Sequence, residues 1–402
     1  MITIFWPEKE AADIAEVKFS YDFCRKVCKD LMASWCRELV WVDYSGGLTL
    51  KDALSAVKGD FLLVVTDPEI LMASEAVEQM IRACKNEASA CVPVFNTTAF
   101  PEQAADLPAI YLNVTSYLEV AGIIAGDENR QIQPVANHDP AVVLYHKRLF
   151  DRKGLFDRRR PMDLGVELSR LNHELPESLR EKIRVNKGAF VHAFGDYYGA
   201  QRDDLVQLIP DGVKNVLDVG CAMGFYGKRL KQERPEIRLT GIEMNPHMAA
   251  MAKAHYDKVM VAKIEDVDIE ERFDLVNCGD IIEHLYDPWD MLKRLVIYLK
   301  TGGHFVVSIP NAGHWTIVKD LMKGKFQYIP VGPLCMSHIR WFTEASLIEA
   351  LSEVGLKVEM INYQKFPPTP AGAKFIDDVC ALGLGDRNSL ETNQFTLRAV
   401  KV

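Results

Sequence analysis

A glycine-rich segment near the middle of the chain constrains the fold more than any other feature. The segment Asn215–Gly227 has the sequence NVLDVGCAMGFYG. Its first residues are mostly apolar and β-branched, which predicts a buried parallel strand, and the residues from Tyr226 onward predict a helix. Glycines between a strand and a helix let ligand atoms approach the backbone closely. The segment therefore predicts a nucleotide-binding turn at Gly220 and Gly224.

Two acids lie beside this turn. Asp218 is on the predicted strand, and Glu243 directly follows a second predicted strand, Arg238–Ile242. An acid at the end of the second strand of a Rossmann-like unit can accept hydrogen bonds from the ribose hydroxyls of an adenosine. We therefore predict that Glu243 binds a ribose and that Met244, next to it, packs on the adenine.

The motifs of the second half occur in a recognisable order. They are LDVGCAMGFYG, GIEMNP, FDLVNCGDIIEHLYDP and LKTGGHFVVSIPN. Together they resemble the class I S-adenosylmethionine-dependent methyltransferases. The resemblance implies an α/β fold with a Rossmann-like seven-stranded sheet and S-adenosylmethionine as cofactor. It also implies that the last two strands, Lys357–Tyr363 and Phe395–Val400, insert antiparallel at one edge. Ala222 stands where the family usually has its second glycine, so its methyl group could crowd the methionine part of the cofactor.

The resemblance also implies which residues contact the cofactor. Arg202, on a predicted helix Tyr197–Leu208, suits the methionine carboxylate because a guanidinium can bind a carboxylate in bidentate fashion. An exposed helix charge is the alternative for Arg202. Asp218 either binds the cofactor's amino group or only braces the turn. The other predicted contacts are Gly220, Ala222, Gly224, Glu243, Met244, Gly279 and Asp280, with Ile264 and Glu265 at the adenine.

Asp280, Glu283 and His284 form the pattern D-x-x-E-H. On a helix these positions share one face, so the three side chains could hold a divalent cation, and oxygen ligands favour Mg²⁺. The pattern is similar to E-x-x-E-H in ubiquinone-pathway O-methyltransferases, where it binds magnesium. The aspartate shortens the reach of the first ligand. The alternative is a capping box, with Asp280 as the N-cap and Glu283 three residues later.

A lid near residues 311–342 is predicted to cover the active site. It resembles the lid of methyltransferase domains attached to sugar-transferring enzymes in bacterial cell-surface polysaccharide pathways. We therefore predict methyl transfer to a hydroxyl, with a sugar as the acceptor. A neutral imidazole can remove the hydroxyl proton, and the candidates are His338, His284 and, behind them, His314. Tyr328 and Arg340 are further substrate candidates, and Trp315 and Trp341 either stack on a sugar ring or pack in the core.

The N-terminal half alternates strands with helices, which predicts a parallel α/β sheet. The predicted strands are Ile2–Trp6, Leu39–Val42, Phe61–Val65 and Ala90–Phe95, and the predicted helices are Ala15–Trp35, Thr49–Val57 and Ser74–Lys85. The segments DFLLVVTDPEI and AVVLYHKRLFDRKGLFD resemble parts of a GT-A glycosyltransferase domain. An active domain of that kind needs paired acids to hold a divalent metal. Asp67 has only Glu69 nearby, so we expect a degenerate domain, and a helix-start turn is the alternative for Asp67.

Length and composition set the remaining expectations. A chain of 402 residues exceeds one ordinary core, and we expect domains at 1–193 and 194–402. A net charge of −9 argues against non-specific nucleic-acid binding. No apolar run approaches the roughly 20 residues of a membrane helix, and the first residues do not resemble a signal peptide. Scattered cysteines, odd in number, indicate reduced thiols, so we expect a cytoplasmic protein.

Three functional interpretations follow from these patterns. The first is the methyltransferase, acting on a small-molecule or glycan acceptor and working beside a glycosyltransferase partner. The second is an NAD-dependent oxidoreductase, which shares the glycine turn and the acid, although the motif order argues against it. The third is a non-catalytic protein that binds the cofactor and docks a separate glycosyltransferase. The basic run Arg158–Arg160 either contacts a phosphorylated or acidic partner or is a solvated part of a helix.

Overall fold

The computed structural model describes residues 1–8, 15–33, 35, 38–44, 54–85, 88–135, 138–150, 183–194 and 201–402. The chain divides into two compact units, Met1–Gly195 and Asp196–Val402. None of the helices in these ranges is both long enough and apolar enough to cross a membrane. The cysteines that the structure describes are free thiols. The basic run Arg158–Arg160 lies outside the described residues.

The N-terminal unit contains an eight-stranded sheet. Its strands are β1 (Ile2–Pro7), β2 (Leu39–Tyr44), β3 (Phe61–Val65), β4 (Ile70–Met72), β5 (Ala90–Phe95), β6 (Ile132–Pro134), β7 (Val142–His146) and β8 (Ile183–Ala193). The helices with described bounds are Ala15–Ala33, Ser74–Lys85 and Val114–Gly126, with 3-10 turns at Pro101–Gln103 and Lys147–Leu149. Most of the predicted helix Thr49–Val57 lies outside the described residues, and 54–56 are helical.

This sheet is mixed, so the prediction of a parallel sheet is wrong. The strand order is β2-β1-β3-β7-β5-β8-β4, with β6 beside β8. Strand β1 is parallel to β2 and β3, but β7 lies between β3 and β5 and is antiparallel to both. Strands β4 and β6 are antiparallel to β8. The order of elements along the chain does not specify where a late strand such as β7 inserts.

The C-terminal unit contains a seven-stranded sheet. Its strands are β9 (Asn215–Val219), β10 (Arg238–Glu243), β11 (Lys258–Val261), β12 (Phe273–Gly279), β13 (Leu299–Pro310), β14 (Leu356–Lys365) and β15 (Thr392–Lys401). The helices are Asp203–Val206, Phe225–Glu233, Pro246–Ala252, Pro288–Tyr298, Trp315–Leu321, Glu344–Glu353, Pro370–Ala381 and Arg387–Glu391, with 3-10 turns at Ile264–Asp266 and Ile282–His284.

The strand order in this unit is β11-β10-β9-β12-β13-β15-β14, and the first five strands are parallel. Strand β15 is antiparallel to β13 and β14, which confirms the predicted antiparallel pair at the sheet edge. The direction of strand order reverses between β9 and β12. In open α/β sheets, ligands bind at the carboxyl ends of the strands beside such a reversal.

Apolar side chains cover both faces of this sheet. Neighbouring residues of a strand point to opposite faces, and Val216 and Leu217 of β9 accordingly belong to two different buried clusters. Leu230 of the helix Phe225–Glu233 belongs to the cluster of Val216. Leu292 of the helix Pro288–Tyr298 belongs to the cluster of Leu217, on the opposite face. The strand tips are therefore carried by a sheet that is fixed by packing on both sides.

Several helices were not predicted from the sequence, and two of them show the same signal. Val114–Gly126 begins with a capping box in which the Asn113 side chain accepts a hydrogen bond from the backbone N–H of Ser116. Pro370–Ala381 begins after Thr369, its N-cap, whose side chain accepts a hydrogen bond from the backbone N–H of Gly372. In both cases the signal is a polar N-cap residue, which a search for apolar periodicity does not detect.

Gly227 should tolerate no side chain, because its helix lies against β10. A Cβ at this position would be 2.2 Å from Tyr256 Cε2 and 2.9 Å from Leu239 Cδ2. We expect Gly227→Ala to lower the free energy of unfolding of the C-terminal unit by about 1–3 kcal/mol. Gly122→Ala is the matched control, because a Cβ on this helical glycine would meet nothing within 4 Å. Urea unfolding of both variants checks the prediction, and equal stability of Gly227→Ala and the parent would contradict it.

Candidate functional site

The turn after β9 is tied to the end of the neighbouring strand. The backbone N–H groups of Gly220 and Cys221 both donate to the carbonyl oxygen of Ile242, at 2.8 and 3.0 Å. Gly220 has a φ of +74°, and a Cβ there would lie 2.1 Å from Ile281 Cδ1. A glycine is therefore required at this turn both by the backbone conformation and by the neighbouring side chain.

The carboxylate of Glu243 connects the tips of β9 and β10. One of its oxygens accepts a hydrogen bond from the backbone N–H of Ala222 at 2.9 Å, and the other accepts from the N–H of Asn245 at 2.7 Å. Each carboxylate oxygen has two lone pairs, so each can accept a further hydrogen bond. These two remaining acceptor positions suit the two ribose hydroxyls of an adenosine, which can donate. Met244, which is 63% exposed, presents an apolar side chain beside the carboxylate.

Left-handed backbone conformations are concentrated at this edge of the sheet. Among the described residues, the non-glycine residues with positive φ are Arg202, Ala222 and Asp280, with φ of 56°, 44° and 55°. Such a conformation costs an ordinary residue about 1–2 kcal/mol. Ala222 thus adopts the backbone conformation in which the family has a glycine, and the bond to Glu243 holds it there. Strained residues of this kind cluster at functional sites.

Asp218 is a buried residue of β9 that forms hydrogen bonds inside the C-terminal unit. Its carboxylate is buried and accepts hydrogen bonds from the Tyr256 hydroxyl and from the Asn277 side-chain amide, the latter at 2.7 Å. Burial raises the pKa of this carboxyl from 3.8 to about 6, against the opposing effect of the two hydrogen bonds. Both carboxylate oxygens accept from protein groups, so Asp218 braces the strands, and its predicted contact with the cofactor stays a prediction.

Asp280 follows β12 and is enclosed by polar partners. Its carboxylate accepts from Arg202 at 2.7 Å, from the Ser308 hydroxyl at 2.8 Å and from the side-chain amide of Gln394. The Arg202 guanidinium also forms two hydrogen bonds with Asp204, at 3.0 and 2.9 Å. Arg202 therefore lies at the predicted edge, and two acids of the protein already engage its guanidinium.

The helix and the capping box predicted over D-x-x-E-H are wrong. The structure has only a short 3-10 turn, Ile282–His284, whose N-cap is Ile281 and which has no side-chain capping bond. The Asp280 carboxylate instead accepts a hydrogen bond from Arg202, and the Asp280 backbone is left-handed, with a φ of 55°. The three predicted metal ligands Asp280, Glu283 and His284 are consequently not gathered together.

A different group of three is gathered at this position, and we call it the Glu-His-His cluster: Glu283, His284 and His338. A carboxylate oxygen and one ring nitrogen of each histidine all lie within 4.8 Å of one another. The two imidazole rings meet nearly edge to face, with centroids 4.6 Å apart. Burial lowers the pKa of His284 to about 4, reinforced by the neighbouring His338, and burial also lowers the pKa of His338. Both imidazoles are therefore neutral near pH 7.

His314, the third predicted base, has a structural contact instead. It is the buried N-cap of the helix Trp315–Leu321, and its Nδ1 lies 2.9 Å from the Thr316 hydroxyl. Burial lowers the pKa of His314 to about 3. Trp315 is also buried and packs with Ile376 and Leu390, so its core alternative is the one observed.

The other predicted residues differ in their exposure. Ile264 is buried at the start of its 3-10 turn, whereas the side chain of Glu265 is exposed. Tyr328 and Trp341 are 40% and 38% exposed, and their rings contact each other in a tilted arrangement, with centroids 6.2 Å apart. Of the remaining predicted contacts, Gly224 has a φ of +86° and precedes the helix Phe225–Glu233, and Gly279 ends β12 beside Arg202. Tyr197 and Tyr198 lie outside the described residues.

Several site residues were not identified from the sequence. Tyr256 and Asn277 fix Asp218, and Ser308 and Gln394 fix Asp280. Asn277 and Ser308 carried a signal, since each is a polar residue directly after two apolar residues of its strand. Tyr256 and Gln394 carried none, because their partners are distant in the sequence.

Comparison with known proteins finds methyltransferases that are similar to the C-terminal half of the chain. Residues 187–361 match the Methyltransf_23 family model, a methyltransferase domain. A ubiquinone biosynthesis O-methyltransferase from Coxiella burnetii (strain Dugway 5J108-111) is 30% identical over 105 residues, which are 24% of this chain and 44% of the relative. The corresponding protein from Acinetobacter baylyi (strain ATCC 33305 / BD413 / ADP1) is 25% identical over 166 residues, 39% of this chain and 68% of the relative.

A solved structure is similar at lower identity. The N-methyltransferase NodS from Bradyrhizobium japonicum WM9 has a TM-score of 0.34 and 19% identity, covering 52% of this chain and 98% of that chain. The present chain spans less than half the length of the Coxiella relative, 44%.

The family match and the relatives identify a class I Rossmann-like methyltransferase domain in the C-terminal half of the chain. The domain belongs to the S-adenosylmethionine-dependent type, as the motifs predicted.

Buried Asp218 should make stability depend on pH. Because the folded-state pKa is raised from 3.8 to about 6, the stabilisation from the protonated carboxyl is complete below pH 3.8 and is lost as the pH rises through about 6. In Asp218→Asn the side chain stays neutral. The stability of the parent relative to this variant should therefore fall by about 3 kcal/mol between about pH 4 and about pH 7.5.

Urea unfolding of the parent and of Asp218→Asn at several pH values gives this difference directly. Groups that titrate identically in both proteins cancel from it. A difference that stays constant across the range would show that the Asp218 carboxyl keeps its ordinary pKa in the folded protein.

Proposed function

We propose that the C-terminal unit transfers a methyl group from S-adenosylmethionine to a hydroxyl of a small acceptor. The observation that carries the proposal is the Glu243 carboxylate, which joins two strand tips and keeps two acceptor positions for a ribose. The curated relatives are named O-methyltransferases, which supports a hydroxyl as the acceptor group. The bound cofactor supplies an activated methyl group, so the protein's part is positioning and proton removal.

The residues at the edge of the sheet divide this work. Glu243 and the turn at Gly220–Gly224 hold the nucleoside part. The Glu-His-His cluster lies at the end of β12, where we propose that the acceptor hydroxyl is bound and its proton is taken up. Neutral imidazoles with lowered pKa values suit this task, because they carry a free lone pair at neutral pH. His314 caps a helix and takes no part in this proposal.

A sugar is the acceptor that we propose, in cell-surface polysaccharide synthesis. Phe326, Tyr328 and Trp341 contact one another in the lid and are 45%, 40% and 38% exposed, so parts of their ring faces are accessible. Aromatic faces of this kind can stack on a sugar ring. The guanidinium of Arg340, which lies over the ring of Tyr286 at 5.4 Å, adds a hydrogen-bond donor nearby.

For the N-terminal unit, we propose a degenerate GT-A-like domain that works beside a separate glycosyltransferase. Asp67 follows β3 and its carboxylate accepts from the backbone N–H of Glu69 at 2.9 Å, as in a local turn. Among the described residues, neither acid belongs to a group with metal-binding geometry. Tight binding of uridine diphosphate with Mn²⁺ to this unit would contradict the proposal.

The role of Glu243 is tested by cofactor binding. We expect Glu243→Ala to weaken binding of S-adenosylhomocysteine by about 10–100-fold, since charge-assisted hydrogen bonds contribute roughly 1.5–3 kcal/mol. Glu236→Ala is the matched control, because this exposed acid lies before the other end of β10. Calorimetric titration with S-adenosylhomocysteine and, separately, with NADH measures both. Binding of NADH but not of S-adenosylhomocysteine would favour an oxidoreductase and overturn the proposal.

Turnover tests the acceptor and the cluster. Full-length protein incubated with methyl-labelled S-adenosylmethionine should label a sugar in a cell-envelope glycan extract, as read by mass spectrometry. His338→Ala should reduce the rate by about 100-fold while keeping the affinity for S-adenosylhomocysteine, because it removes only proton handling. His247→Ala, at an exposed histidine, is the control. Tight cofactor binding with no labelled acceptor would favour the non-catalytic alternative.

A further inference from the structure

The Glu-His-His cluster has the composition of a metal site that the sequence pattern did not predict. We propose that Glu283, His284 and His338 bind a divalent cation that prefers nitrogen ligands, with Zn²⁺ as the reference ion. This disagrees with the magnesium site that the resemblance implies for Asp280, Glu283 and His284. The inference concerns binding alone. It is an alternative to the proton uptake proposed above for this cluster, because an Nε2 that binds the ion has no lone pair left for a proton.

The backbone around the two histidines presets their tautomers. Nδ1 of His284 lies 3.2 Å from the carbonyl oxygen of Ser337, and Nδ1 of His338 lies 2.9 Å from that of Pro333. A carbonyl oxygen can only accept, so each Nδ1 carries the proton and each Nε2 keeps its lone pair. Histidines that bind metals almost always donate their other ring N–H to a carbonyl or carboxylate in this way.

Glu283 supplies a carboxylate with no other partner. The residue is 1% exposed, and neither of its carboxylate oxygens has a hydrogen-bond partner among the described residues. A buried carboxyl group without a partner is costly, because it loses its hydration and gains nothing in return. A cation between Glu283 and the two histidines removes this cost.

Asp280 is excluded from the site by its own contacts. Its carboxylate is held by Arg202, Ser308 and Gln394, and the guanidinium charge beside it opposes a cation there. The set that remains has two nitrogens and one carboxylate. Mg²⁺ prefers oxygen ligands in octahedral geometry, whereas imidazole suits Zn²⁺ and the neighbouring transition ions, and two histidines with one glutamate form a common zinc set.

The spacing of the three groups allows an ion to bind after a small contraction. Ligand atoms about 2.1 Å from a zinc ion are roughly 3–4 Å from one another, whereas the three ligand atoms here lie within 4.8 Å. The side chain of His284 is only partly buried, so solvent has access to one side of the cluster. Three protein ligands leave a fourth position for water or for an acceptor oxygen.

Binding of a metal ion would also connect the lid to the sheet. The carbonyl oxygen of Glu283 accepts hydrogen bonds from the backbone N–H groups of Ile339 and Arg340, at 3.0 and 3.1 Å. His338 lies in the same lid segment, and Glu283 and His284 follow β12. An ion shared by these residues would therefore join the lid to the sheet at a second point.

Calorimetric titration of metal-free, full-length protein prepared without a histidine tag tests the inference. We expect one Zn²⁺ per chain to bind at least about 100-fold more tightly than Mg²⁺. Glu283→Gln and His338→Ala should each weaken Zn²⁺ binding by about 100-fold, since each removes a ligand. Asp280→Asn should bind Zn²⁺ as the parent does, and so should His247→Ala, which tests for binding at exposed histidines.

The alternatives give different results. Loss of binding in Asp280→Asn with retention in His338→Ala would restore the D-x-x-E-H set, and preference for Mg²⁺ would overturn the inference. X-ray absorption of the zinc-loaded parent gives a second measurement that does not depend on the folding of variants, because it counts imidazole ligands directly. Fewer than two imidazoles would refute the site. S-adenosylhomocysteine binding, measured on the same protein, reports the proposed function separately.

Discussion

The carboxylate of Glu243 holds together the two strand tips on which the site of the C-terminal unit depends. Through Ala222 it fixes the turn after β9, and through Asn245 it fixes the start of the helix after β10. The bond to Ala222 stabilises its left-handed backbone conformation, which an alanine ordinarily avoids. The same carboxylate therefore stabilises the turn and, in our proposal, binds the nucleoside.

A second layer of buried polar groups supports the strands behind this turn. Asp218 of β9 and Asn277 of β12 are register partners on adjacent parallel strands, and their side chains bond each other across the point where the strand order reverses. A buried polar network of this kind specifies one arrangement, since a shift in register would leave its members unpaired. The two apolar clusters fix the sheet, and this network fixes how its two halves meet.

The sequence was sufficient for the parts of the fold that depend on local pattern. Apolar runs, glycines and spacing predicted β9, β10 and the acid at the tip of β10, whereas the resemblance to the methyltransferase family implied the seven-stranded sheet and its antiparallel edge pair. What it did not show were features set by distant partners. The antiparallel position of β7 depends on where a strand inserts, and the 3-10 turn at Glu283 depends on Asp280 turning toward Arg202 and Ser308. His338 joined the cluster because the lid folds back onto the carbonyl oxygen of Glu283, a contact between residues far apart in the chain.

Asp280 and Glu283 show why a motif alone does not define a metal site. The two acids are three residues apart, but the first is paired with a guanidinium, and the second is buried and has no side-chain hydrogen-bond partner in the described part of the chain. Burial, with the nearby charge of Asp280, raises the pKa of Glu283 well above its usual range, because the charged form of the carboxyl loses its hydration there. Two neutral imidazoles beside it offer lone pairs but no charge. A divalent transition ion would supply a positive charge beside the Glu283 carboxylate. It would also bind the nitrogen lone pairs of the two imidazoles.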